Sequence, residues 1–157
     1  MAGSILLKEQ SILTLTSTGA SLTSGSAGLA GTQLDCRAAG NAADFFMALF
    51  SLTAQFGTVT GIAAGATIAD LYLVPAIDGT NFPDIDTTAG ASYIPFTLRA
   101  GSFVASKAPT ASTNALFQSA SFDLMPVLYN AYIINRSGQT MSANWTLKAL
   151  AAAAQYT

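Results

Sequence analysis

The sequence predicts an all-β fold, an antiparallel two-sheet sandwich of the jelly-roll kind with flexible terminal arms. Three observations carry that prediction. Apolar and polar residues alternate with period two in a succession of short runs, as in strands that bury one face. Clusters of Gly, Pro, Ser and Asn separate the runs, and such clusters favour turns. The runs number about eight or nine with few helical stretches between them, and eight strands in two facing sheets make a jelly roll.

At 157 residues and 16.0 kDa the chain has the length of one domain, able to bury about 68–70% of its unfolded surface. Met1 to Leu7 reads as an N-terminal arm and Ala151 to Thr157 as a C-terminal tail. Ile12 to Thr16 alternates as a strand. Thr18 to Gly31, TGASLTSGSAGLAG, is low in complexity and reads as a flexible loop. Thr32 to Arg37 reads as a strand whose apolar face carries Leu34 and Cys36, the cysteine as a small core hydrophobe. No charged residue occurs from Phe45 to Ala69. A membrane helix needs about twenty mostly apolar residues, and Gln55, Gly57, Gly61, Gly65 and several threonines interrupt this window. Asp44 to Phe56 therefore reads as a strand with Phe46, Ala48, Phe50, Leu52, Ala54 and Phe56 on one face. A buried helix over Ala42 to Leu52 is the alternative that period alone leaves open.

The stretch from Gly65 to Arg99 organises the rest. Asp70 to Val74 is a strand apolar on both faces, interior to a sheet, and Pro75 stops it because proline lacks an N–H and fixes φ. Asp78-Gly79 is a turn dipeptide, its carboxylate placed to accept the N–H groups just ahead. Pro83, Asp84 and Asp86 keep the chain irregular until Tyr93. From there Ile94, Phe96 and Leu98 alternate with Tyr93, Pro95, Thr97 and Arg99 as a second strand. Further strands read over Ser102 to Ser106, Leu116 to Leu124, Leu128 to Asn135 and Asn144 to Leu150, with Trp145 and Leu147 toward the core.

The run Asp70-Leu71-Tyr72-Leu73-Val74-Pro75 followed by Asp78-Gly79-Thr80-Asn81-Phe82-Pro83-Asp84 resembles a family of small structural proteins encoded among the head and tail genes of tailed bacteriophages. A second similar segment is Asn135-Arg136-Ser137-Gly138-Gln139, leading into the strand with Trp145 and Leu147. The likeness covers about half the chain, from roughly Ser51 onward. It implies a virion component, a capsid decoration or cement protein on the outer surface of a phage head. Its partners would be the major capsid protein and copies of itself, by analogy a homotrimer. A tail, neck or fibre component is the second role in the same class.

Composition suits that implication. Charged residues make up 9% of the chain, against roughly 25% in an average soluble domain. A surface of short uncharged side chains with net charge −2 tolerates packing among neighbours and has no pull toward a polyanion. Lys8, Arg37, Arg99, Lys107, Arg136 and Lys148 are dispersed, so no stripe for nucleic acid forms. One Cys and no His give neither an internal disulfide nor a zinc site of usual ligand type. Serines have no His to activate them, and the carboxylates are scattered, so no catalysis and no cofactor are expected. Asp78, Asp84 and Asp86 with Asn81 place oxygens on one loop, yet Asp and Asn at turns usually satisfy their own backbone, and turn formation outweighs calcium binding there. The start shows no secretory pattern, and synthesis in a host cytoplasm followed by assembly into a virion is expected.

The candidate site is thus an interface: Asn81, Phe82, Pro83 and Asp84 on the loop, with Arg99 and Arg136. In or beside strands, these two, like Lys148, read first as solvated edge charges and second as partners for acids of a neighbouring subunit. Phe82 is either exposed for contact or folded under its loop. A carbohydrate-binding sandwich using the Asp78 to Asp86 loop is the reading from a different class.

Overall fold

The computed structural model describes residues 5–9, 12–16, 18–37, 40, 42, 45–87, 92–119 and 121–156. Its strands are β1 (Ile5–Glu9), β2 (Leu13–Thr16), β3 (Ala27–Leu29), β4 (Leu34–Asp35), β5 (Met47–Ala54), β6 (Thr67–Ala76), β7 (Arg99–Val104), β8 (Ala115–Gln118), β9 (Phe122–Asp123), β10 (Leu128–Asn135) and β11 (Thr146–Tyr156). One sheet runs β1–β11–β5–β8, with β2 continuing the edge of β1 along β11 and β9 continuing that of β8 along β5. The other runs β3–β10–β6–β7, with β4 continuing β3 along β10. Every pairing is antiparallel. With each broken edge strand counted once, two sheets of four remain, in chain order 1-8-3-6 and 2-7-4-5. That is the strand order of a jelly roll.

The core lies between the sheets, because alternate residues of each strand point inward. Ala48, Phe50, Leu52 and Ala54 of β5 meet Leu71 of β6, Ile133 of β10 and Leu147 of β11 in one buried cluster. Cys36 is buried in it, and burial, with the Asp35 charge beside it, pushes its thiol up to about 11. It stays protonated and packs as a small apolar group. Trp145 is fully buried, and its indole Nε1 donates to the carbonyl of Ala20 at 2.7 Å. The ring occupies the space over Gly19, where a Cβ would lie 2.0 Å from Cε2.

Four expectations are corrected. Thr18 to Gly31 is not a loop throughout: Leu22 is buried and bridges Met141, and Ala27–Leu29 forms β3. Its small residues fit where Leu22 and Trp145 pack tightly against Gly28. Pro75 does not end its strand, since β6 continues to Ala76. β7 accompanies β6 only as far as Tyr72, so among the described residues Pro75 has no strand beside it on that side, and a residue without an N–H is tolerated there. Tyr93 to Arg99 is not a strand. Pro95 denies it a ladder donor, Phe96–Leu98 forms a 3₁₀ turn, and β7 begins at Arg99. The terminal stretches read as arms pair with each other, Ile5–Glu9 against Ala152–Tyr156. Once β11 is fixed against β5, its continuation offers β1 an antiparallel ladder. Met1 to Ser4 and Thr157 lie outside the described residues. The alternative of a helix over Ala42 to Leu52 also fails, because Met47–Ala54 is strand β5.

Candidate functional site

The connection from β6 to β7 folds back over the outer face of the second sheet and forms its most elaborated surface. It begins at Asp78, whose Oδ1 accepts the backbone N–H of Thr80 at 2.9 Å and of Asn81 at 2.7 Å, while Oδ2 accepts the Asn81 amide at 2.7 Å. These bonds, that from the Asn81 N–H foremost, hold the carboxyl down at about 2. Gly79 adopts φ +84°, a conformation that L side chains rarely tolerate. The Asp carboxylate thus serves its own turn, as the dipeptide predicted. Among the described residues no three of His, Cys, Asp and Glu stand together as a metal site.

Arg37 ties this turn to the sandwich. Its Nε and Nη2 donate to the two oxygens of Asp35 at 2.8 Å each, and Nη1 donates to the Gly79 carbonyl at 2.6 Å. The fork geometry of guanidinium suits that two-sided grip. Beneath the loop, Tyr72 and Val74 of β6, Tyr132 and Ile134 of β10 and Ile94 form a second buried cluster. Phe82, Ile85 and Leu98 pack against it. Phe82, whose position the sequence left open, is therefore folded under the loop and half-buried. What the connection displays is Ile77, 84% exposed, and Tyr93, 68% exposed, together with the exposed Asn81, Pro83 and Asp84.

Arg99 and Arg136 meet on the same outer face, on the carboxylate of Asp70. Arg99 donates through Nε at 3.0 Å and Nη2 at 2.7 Å to Oδ1, Ser102 donates its hydroxyl to Oδ1 at 2.6 Å, and Arg136 donates Nε to Oδ2 at 3.0 Å. Arg99 Nη2 also meets the Ser102 hydroxyl. Burial pushes the Asp70 carboxyl up, but Ser102, Arg99 and Arg136 outweigh it and hold the group below its ordinary range. For Arg136, burial works against the charge, and Asp70 and the Tyr72 hydroxyl more than offset it. Both arginines are thus engaged within the chain, joining β6, β7 and the end of β10, with side chains 30% and 42% exposed against 11% for Asp70. The sequence reading offered solvated edge charges or acids on a neighbour; Asp70 supplies the acid internally.

Sequence reasoning missed this junction, as well as Ile77, Tyr93 and the grip of Arg37. A signal for the junction was present: a charge in a strand apolar on both faces requires a partner. Which cation would serve depended on the β6–β7 and β6–β10 registers. On the opposite face, a hollow of about 190 Å³ is lined by Ile12, Leu49 and Leu150 with Lys148. Among the described residues, no helix is long and apolar enough to cross a membrane. The chain matches no family model and no curated protein.

Proposed function

We propose that this protein is a non-enzymatic virion component, a decoration or cement protein. It binds the outer surface of a phage head as a homo-oligomer and stabilises the shell through contacts between subunits. The observation that carries the reading is the β6–β7 connection: a long loop pinned at Asp78, gripped by Arg37 and underpacked by Phe82, that holds Ile77 and Tyr93 out into solvent. A polar loop anchored in this way that presents a large aliphatic and an aromatic side chain suits a protein–protein contact, since aromatic anchors carry much of the energy of interfaces. The jelly roll is a fold that viral shell proteins use, and the fold by itself assigns no function.

The charged groups support the same reading. Asp35, Asp70 and Asp78 are all committed to structural hydrogen bonds, which leaves none of them poised as a general base. Arg37, Arg99 and Arg136 are paired to carboxylates, so the surface draws nucleic acid weakly. The major capsid protein is the partner, and the protein, made in the host cytoplasm, resides on the virion surface.

Co-sedimentation with empty heads of the encoding phage, prepared without this protein, tests the proposal. Saturable binding is expected, weakened about tenfold or more by Ile77→Asp with Tyr93→Ala. Both residues are exposed, so the variant should melt as the wild type does. Protein that stays in the supernatant, or a double variant that binds undiminished, overturns it.

A further inference from the structure

The outer face of the first sheet lies opposite the β6–β7 connection and carries a hollow whose use is independent of the role proposed above. Register brings two rows of side chains together there. Lys148 of β11 stands opposite Ser51 of β5, and Ser51 opposite Gln118 of β8, so an ammonium, a hydroxyl and an amide cross three strands in line. One two-residue step along, about 6.6 Å away, Leu150 stands opposite Leu49. Ile12 precedes β2, whose Leu13 pairs with Ala149, and it joins this apolar row in lining the hollow. The ladder is interrupted beside Leu49: β8 pairs with β5 from Ala54 to Ser51, and β9 takes over at Ala48. The hollow of about 190 Å³ opens there, with both rows in its walls.

Ile12 and Leu49 are exposed and Leu150 is half-buried, so the floor is apolar surface that gains by being covered. Lys148 is exposed and, among the described residues, has no ion pair. The two acids on strands of this sheet, Glu9 opposite Ala152 and Asp123 opposite Met47, stand four residues along from the Lys148 row, about 13 Å away. The ammonium at the wall is thus left for an anion from outside the chain.

We propose that the hollow binds a small apolar carboxylate. The chain of the ligand lies on Ile12, Leu49 and Leu150, and its carboxylate meets Lys148, with Ser51 and Gln118 as neutral donors. A carboxylate can accept from all three groups, and the bond from the ammonium is of the stronger, charge-assisted kind. Pockets for drug-sized ligands run to about 300–1,000 Å³, so a hollow of about 190 Å³ suits a ligand of fewer atoms. An anionic lipid surface is a poorer match, because clusters of about four to eight basic residues hold such surfaces and, among the described side chains, Lys148 is the cation lining this hollow.

Titration of the isotope-labelled protein with sodium octanoate, followed through its amide resonances, tests this. Saturable shifts are expected at Leu49, Ser51, Gln118 and Lys148, with half-saturation in the millimolar range or below. Lys148→Gln is expected to weaken octanoate binding about tenfold and to leave the binding of octanol, of the same length without the charge, as it was. Leu49→Thr is expected to weaken both probes. Lys148 and Leu49 are exposed, so both variants should melt as the wild type does. Shifts that are absent or lie away from the hollow overturn the proposal, as does a Lys148→Gln variant that binds octanoate undiminished. Resonances of the hollow that move with protein concentration and ignore octanoate overturn it in favour of a second copy. Co-sedimentation with phosphatidylglycerol vesicles, without a response to octanoate, overturns it in favour of a lipid surface. Each of these outcomes leaves the binding to phage heads to its own measurement.

Discussion

Single side chains decide where this sandwich is vulnerable. Asp70 is the sharpest case, because two guanidiniums and a hydroxyl depend on one carboxylate. Asp70→Asn leaves both arginines without their anion, and a loss of about 2–3 kcal/mol in urea unfolding is expected, below the range for fully buried pairs since the arginines are partly exposed. The folded-state pKa of Asp70 is depressed, so its contribution is present above the unfolded value near 3.9 and is lost as pH falls through the folded one. Stability of the wild type should drop below about pH 4, and that of Asp70→Asn should drop less. Gly19→Ala forces a Cβ into the indole of Trp145. A destabilisation of about 1–3 kcal/mol is expected, with a red shift of the tryptophan emission as its marker.

Among the elements, the β6–β7 connection does two jobs, and two variants separate them. Ile94 is buried under it, and Ile94→Ala should lower global stability by about 2–3 kcal/mol. Asp78 instead serves only its own turn. Asp78→Ala should leave the melting transition near the wild type while limited proteolysis between Ile77 and Asp86 speeds up. The elements also show how far a single sequence carries. Leu128 to Asn135 is β10 at both ends, and Met47–Ala54 lies inside the strand read over Asp44 to Phe56, because both runs are long and clearly periodic. Cys36 and Trp145 are in the core, as their alternation indicated. Strand limits set by neighbours were illegible: Pro75 is tolerated only because β7 has already diverged, and the pairing of β1 with the end of β11 joins the two ends of the chain. The Asp70 junction joins residues 29 and 66 positions apart, a proximity that depends on register rather than on local pattern.

At the scale of the whole molecule, low charge, a jelly roll and an ornamented outer loop are the features on which the proposed role among protein neighbours rests. On that proposal the loop, carried on the outer face of the second sheet, would meet the shell. Imaging the encoding phage's intact head at modest resolution, with and without this gene product, tests that account most directly. The account predicts separate knobs of density on the outer shell, absent from heads lacking the protein. Identical shells in both preparations, or density confined to the tail, would contradict it.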